Sequence, residues 1–171
     1  MLPLLLTLGI ALGAIAVAAY AAAQLRRAGR EARYGRLVAV DAGPGPSVPL
    51  RSERYRLAGR PDEVRARRDG RWIPVEWKTR DAPRNGPLPS HRLQLLAYCL
   101  LCEERTGLPP PYGVLRYGDG TEFRVPWNAA ARRELLEVRA ALDRPYDGRA
   151  TPSPGKCGGC RWRSICDARA V

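Results

Sequence analysis

The chain has one histidine, His91, no cysteine ahead of Cys99, and no charged side chain in its first 23 residues. A lone histidine leaves no pair of imidazoles for a metal centre, so such a centre would rest mainly on carboxylates or thiolates. The five cysteines do not form the dense framework of a small disulfide-stapled domain. The uncharged opening also lacks a basic n-region, and its apolar run exceeds the roughly 7–15 residues of a signal-peptide core. Small residues in "AYAAAQ" offer a rival reading with a cut site, but the length argues for retention. No internal repeat is present.

What the opening does contain is a continuous apolar run from Leu2 to Ala23. A helix of that length crosses a hydrocarbon core of about 30 Å. Arg26, Arg27, Arg30 and Arg33 follow at once, and the positive-inside rule puts everything downstream on the cytoplasmic side. The expected organisation is a single-pass membrane anchor at 1–23, a basic juxtamembrane segment and linker at 24–45, and one domain at 46–171. All 29 Lys and Arg and all 17 Asp and Glu lie beyond the anchor, giving a net charge of +12. That balance suits a polyanionic partner, either nucleic acid or an anionic leaflet, and charge alone does not separate the two.

Beyond the anchor, "GRLVAV" and "LRSERYRLAG" read as strands, separated by the Pro/Gly-rich "DAGPGPSVP". "DEVRARRDGRWIPVEWKT" reads as a hairpin on the two-residue turn Asp69-Gly70. "HRLQLLAYCLLCEERTG" is the clearest helix, with Ser90 expected to cap its start and Gly107 its end. A second hairpin turns at Gly118-Asp119-Gly120, and Asn128 caps an amphipathic helix that ends before Pro145. This order predicts an α/β domain: a mixed central sheet flanked by helices.

Alternation in the strand "IPVEWKT" places Glu76 and Lys78 together on the face opposite Ile73, Val75 and Trp77. A glutamate there suits a hard cation, and the lysine beside it suits a water or a scissile phosphate. One carboxylate is a weak Mg²⁺ site, so a second is needed, and Asp62 in "GRPDEV" is the candidate. With Asp69-Gly70 as the turn, Arg68 faces Arg71 and Glu63 faces Glu76. Asp62 then lies one position beyond and needs a bulge or bend to come inward, which keeps Glu63 open as a substitute ligand. Taken alone, the pattern also fits a salt-bridged strand face. Gln94 and Tyr98, four residues apart, share a helix face and suit contacts to a nucleotide or phosphate, or an ordinary polar edge of a packed helix.

Together and in this order, "GRPDEV", "VEWKT" and "QLLAY" resemble the PD-(D/E)XK nuclease superfamily, in particular its RecB-like branch with the CRISPR-associated exonucleases. The resemblance implies a restriction-endonuclease-like core and a divalent-metal-dependent deoxyribonuclease using Mg²⁺ or Mn²⁺, with exonuclease action expected. It implies metal ligation by Asp62, Glu76 and the main-chain carbonyl of Trp77, action on water by Lys78, and DNA contact and site support from Gln94 and Tyr98. Relatives often add a histidine on an early helix. His91 instead opens the Gln94 helix, and Glu31 or Glu53 are candidates for the early acidic position.

Cys157, Cys160 and Cys166 form Cys-x2-Cys-x5-Cys on a Gly-rich stretch, a spacing that suits zinc or an iron–sulfur cluster. The same resemblance implies a [4Fe–4S] cluster, whose fourth cysteine would precede Cys99 and is missing here. Zinc stays open, and Cys99 and Cys102 read as small buried hydrophobes. Arg80, Arg84 and Arg92 follow the strand and are expected to track a DNA backbone, with Trp162 a candidate to stack on a single-stranded base or to cover the cysteine loop. Two other classes keep these features: a catalytically inactive nucleic-acid-binding module, and a membrane-tethered iron–sulfur interaction or redox protein.

Overall fold

No residue after the apolar run stops a helix before Gly35, and helix α1 (Leu2–Tyr34) continues through the whole basic flank. Gly35 ends it at φ 98°, and a Cβ there would lie 2.2 Å from the Ala66 carbonyl oxygen, so only glycine lets the chain pass this close to the neighbouring strand. The structure, a computed structural model, describes residues 2–41, 48–144 and 152–167. They fall into two compact units, Met1–Leu136 and Glu137–Val171.

The first unit holds a five-stranded sheet in the order β1-β4-β5-β6-β7. Its strands are β1 (Arg36–Val40), β4 (Glu63–Ala66), β5 (Trp72–Lys78), β6 (Tyr112–Tyr117) and β7 (Glu122–Pro126). All neighbours are antiparallel except β5 and β6, which run parallel. Helix α2 (Pro89–Thr106) makes the return between them, as a parallel pair requires. The sheet is thus the mixed α/β arrangement expected. It begins earlier than 46, because residues 36–40 of the expected linker form an edge strand.

The segment expected as one strand at 50–59 is two, β2 (Leu50–Ser52) and β3 (Leu57–Gly59), paired as a separate hairpin. The intervening turn holds Arg56 at φ 49°, which no strand accommodates. Helix α2 starts at Pro89 with Leu88 as a cap that makes no side-chain bond, so Ser90 does not cap it. Gly107 closes it as expected, its N–H donating to the Glu103 carbonyl at 2.7 Å. Asn128 caps α3 (Ala129–Ala141) by accepting from the Ala131 N–H at 3.0 Å.

The first hairpin differs from expectation by one residue. Arg67 pairs with Arg71, and Gly70 adopts φ 81°, so the turn has three residues, Arg68 to Gly70. Such loops place a left-handed residue last. The second hairpin repeats the design, with Gly120 at φ 84° closing Gly118 to Gly120.

The sheet has two unlike faces. On one, Leu95, Leu96, Cys99 and Leu100 of α2 pack against Leu115, Tyr117 and Val125, joined by Ala131 and Leu135 of α3. Each fully buried leucine contributes roughly 1.5–3 kcal/mol. On the other, Tyr34 from the end of α1 covers Ile73, Val75 and Val114. Among the described residues, α1 is the one helix long and apolar enough to cross a membrane, by length and composition. In the second unit, α4 (Pro154–Gly158) and a 3-10 turn at Arg163–Ile165 carry the late cysteines.

Candidate active site

The three-residue turn decides which carboxylates meet. It pairs Glu63 with Val75, and the next position outward sets Asp62 opposite Glu76. No bulge is needed. A one-residue change of register moves every side chain to the other face, so Glu63 turns away from Glu76. It pairs instead with Arg65 at 2.6 Å, with Arg116 at 3.7 Å, and is not a substitute ligand.

Asp62 sits at the bend before β4, and its Oδ2 accepts the Trp77 main-chain N–H at 2.6 Å. This bond fixes its carboxyl beside β5, within hydrogen-bonding reach of Glu76. Glu76 is buried, and the α2 residues it faces are half-buried Gln94 and buried Tyr98. Its Oε1 receives Lys78 Nζ at 2.8 Å and Gln94 Nε2 at 2.7 Å. The Gln94 carbonyl oxygen also accepts from Lys78 Nζ at 2.8 Å, and its amide nitrogen donates to the Tyr98 hydroxyl at 2.9 Å. All five expected residues, Asp62, Glu76, Lys78, Gln94 and Tyr98, therefore come together.

Two details differ from the roles expected of the helix pair. Gln94 spends its amide on Glu76, Lys78 and Tyr98, and Tyr98 is only 8% exposed. Both support the carboxylate–lysine pair from behind. Burial raises the Glu76 pKa, Lys78 opposes that shift, and the Asp62 charge adds to it. Burial also raises that of Tyr98, with Glu76, Asp62 and Asp41 adding to it.

The site suits a divalent cation. Glu76 Oε2 is buried with no hydrogen-bond partner, and two carboxylates crowd together where like charges repel. A cation held there would remove both penalties. Among the described residues no three of His, Cys, Asp and Glu gather around one point, so the side-chain ligands here would be Asp62 and Glu76, with the Trp77 carbonyl as a main-chain oxygen. The candidates for an early acidic ligand are engaged elsewhere. Glu31 pairs with Arg27 on α1 and Glu53 with Arg51.

His91 bonds the Tyr117 hydroxyl through Nδ1 at 2.9 Å, and burial followed by Lys78 and Arg80 lowers its pKa. It therefore stands at the margin of the site, held by Tyr117. Arg80 and Arg84 are exposed beyond β5. Arg92 is clamped by both oxygens of Glu134, donating to Oε1 at 3.1 Å and to Oε2 at 2.8 Å, and is less available to DNA than expected.

Sequence reasoning missed Asp41. Its N–H donates to the Asp62 carbonyl at 2.9 Å, which extends the β1–β4 pairing and puts the two aspartates side by side. Its side chain is held by Arg60 at 3.0 Å. The signal was the aspartate ending "RLVAVD", legible only once β1 is known to join the sheet.

Cys99 and Cys102 are fully buried, and burial pushes the Cys102 thiol up to about 12 and that of Cys99 well above its usual range. They are core residues, as expected. In the second unit Cys157 and Cys166 are half-buried and Cys160 is exposed. The three are not gathered into a ligand set among the described residues. Trp162 is 58% exposed, with the Arg161 guanidinium 5.3 Å from its ring centroid.

A mixed sheet that presents Asp, Glu and Lys from one antiparallel hairpin, backed by a Gln–Tyr helix, defines a nuclease class. Residues 9–167 match the family model of the PD-(D/E)XK nuclease superfamily, and the chain belongs to that superfamily. Over 138 residues it is 33% identical to a CRISPR-associated exonuclease Cas4/endonuclease Cas1 fusion of Myxococcus xanthus (strain DK1622). The match covers 74% of this chain and 24% of the fusion, so the chain spans about a quarter of that relative's length. Among solved structures, the crystal structure of SSO0001 is similar at TM-score 0.46 and 24% identity, over 73% of this chain and 59% of that one.

Proposed function

We propose that the chain is a membrane-anchored DNA nuclease that hydrolyses phosphodiester bonds with Mg²⁺ or Mn²⁺ and acts on DNA ends as an exonuclease. The observation that carries this reading is Glu76, whose Oε1 is held by Lys78 and Gln94 while Oε2 is buried and unpartnered beside Asp62. A divalent cation at these carboxylates would polarise the phosphate and lower the pKa of a bound water. Lys78 uses two of its three N–H donors on Glu76 and Gln94, leaving one for the attacking water or a phosphate oxygen. Gln94 and Tyr98 hold that ammonium in place.

Exposed Arg80 and Arg84 lie where they would meet a phosphate backbone. The apolar length of α1 and the arginines after it support a single-pass anchor with the nuclease unit on the cytoplasmic side. Because Cys157, Cys160 and Cys166 are not gathered as ligands, no step is placed on an iron–sulfur cluster or zinc.

The test is cleavage of labelled single- and double-stranded DNA by the full chain in detergent, prepared without oxygen. Wild type, Glu76→Ala and Lys78→Ala are compared with Mg²⁺, Mn²⁺ or EDTA. Metal-dependent cutting that both substitutions abolish establishes the reaction and its site. A folded wild type that binds DNA and cuts nothing overturns the catalytic reading in favour of a binding module.

A further inference from the structure

The face of the sheet away from Glu76 carries a second concentration of charge. Arg26, Arg30 and Arg33 are spaced four and three residues apart, which puts them on one stripe of α1. With Trp77 and Arg116 of the sheet they line a groove of about 450 Å³. Four guanidinium groups meet there with one carboxylate, Glu122. That carboxylate is already shared by Arg116 Nε at 2.5 Å, Arg33 at 3.5 Å and the Tyr34 hydroxyl.

Two of these arginines, Arg116 and Arg30, are not fully satisfied by this arrangement. The Arg116 side chain is only 9% exposed, and its Nη1 has no hydrogen-bond partner, the nearest carboxylate being that of Glu63 at 3.7 Å. The Arg30 Nε is also buried without one. Buried charged donors left without acceptors are costly, and a phosphate supplies several acceptor oxygens at once. Trp77, 46% exposed, stands over the Arg116 guanidinium at 4.5 Å and gives the groove an apolar wall.

Position on α1 selects the source of the phosphate. In a helix that leaves the bilayer at Ala23, Arg26 and Arg30 stand about 4.5 and 10 Å past the hydrocarbon edge at 1.5 Å per residue. The headgroup layer is roughly 5–8 Å deep on each side, so Arg26 stands within it and Arg30 just past its outer edge, and the Arg26 end of the groove meets the headgroup phosphates. A nucleic-acid strand bound here would lie across the sheet from Glu76 and Lys78. We propose that this groove binds the phosphate of an anionic phospholipid headgroup and so fixes the nuclease unit against the membrane surface. The proposal rests on the anchor reading of α1 and is independent of catalysis.

The experiment uses the full chain in vesicles of phosphatidylcholine alone or of equal parts phosphatidylcholine and phosphatidylglycerol. Flotation reports anchoring, and native mass spectrometry after detergent extraction reports which lipids stay bound. Wild type is expected to float with both vesicles and to retain phosphatidylglycerol over phosphatidylcholine by about tenfold or more. The double variant Arg26→Gln/Arg30→Gln should still float and lose that preference. Equal retention of both lipids by wild type, a preference that survives in the double variant, or displacement of the lipid by a single-stranded oligonucleotide overturns the proposal. Failure to float overturns the anchor and the proposal with it, while DNA cleavage on the same preparation reports separately on the nuclease reading.

Discussion

Asp62 stands opposite Glu76 across the β4–β5 pair because the hairpin between them closes with three residues, Arg68 to Gly70. The Asp62 charge raises the pKa of Glu76 and so works against the metal-free fold. Asp62→Asn should lower activity by about 10²–10⁴, the range for losing a group that acts on the transition state. In EDTA the same variant should be more stable to urea than wild type, by about 1 kcal/mol, since active sites store repulsion of this kind. Equal stability of the two proteins would show that no such repulsion exists.

Gln94 is a positioning residue by this geometry, since its amide reaches Glu76, Lys78 and Tyr98. Gln94→Ala should lower kcat by about 10–10², the scale for misplacing a reacting group by an ångström. KM for DNA should stay within about twofold, because the binding surface is elsewhere. Steady-state kinetics on a labelled oligonucleotide separate the two. A rise in KM with kcat unchanged would instead make Gln94 a substrate contact.

The pH dependence of Glu76 runs opposite to that of an ordinary paired carboxylate. Burial raises its folded pKa above the usual 4.5. Its contribution to stability is then full below 4.5, where both states are protonated, and is lost as pH rises through the raised value. Metal binding needs the charged form and strengthens over the same interval. Urea denaturation of wild type and Glu76→Gln in EDTA, from about pH 4 to pH 8, should show wild type losing ground to the variant as pH rises. Mn²⁺ affinity of wild type should climb across that window.

The late cysteines give a separate prediction. Cys157, Cys160 and Cys166 are not gathered here, but their Cys-x2-Cys-x5-Cys spacing suits a cluster that draws them together on loading, so chain purified without oxygen and reconstituted with iron and sulfide should hold both, and Cys160→Ser should lose most of the iron. Cys99→Ser should keep it, because Cys99 is buried in the core with its thiol far above the titrating range. Metal analysis with acid-labile sulfide decides the matter, and zinc without sulfide would identify the other ligand class.

The sequence made the site legible through local rules. Alternation in β5 places Glu76 with Lys78, and helical spacing places Gln94 with Tyr98. What it left open depended on one loop residue. "RRDGR" accommodates a turn of two residues or three, and that choice decides whether Asp62 or Glu63 faces Glu76. The role of α1 was only partly legible, because an apolar run followed by arginines says nothing of where the helix ends. Tertiary contact decides that. Gly35 passes beside Ala66, Tyr34 is buried against the sheet, and β1 follows directly. The charged face of Arg65, Arg116, Glu63 and Glu122 gave no signal in sequence, since its members come from three strands.

Gly59 offers a way to disturb the site without touching any of its polar atoms. A Cβ at this position would lie 2.6 Å from Tyr98 Cε1, well inside contact distance. The Tyr98 ring is 8% exposed and packed with Leu50, Leu101 and Cys102, so it cannot move without cost. Displacing it pulls its hydroxyl from Gln94 Nε2, now 2.9 Å away, and loosens the hold on Lys78. Gly59→Ala should therefore lower stability by about 1–3 kcal/mol, as overpacking does. It should also lower kcat by about 10–10². Tyr98→Phe removes the hydroxyl and keeps the ring, and should lower kcat similarly at a stability cost below about 1.5 kcal/mol. If Gly59→Ala loses stability while kcat holds, Tyr98 is a packing residue only, and the chain from Tyr98 through Gln94 to Lys78 plays no part in the chemistry.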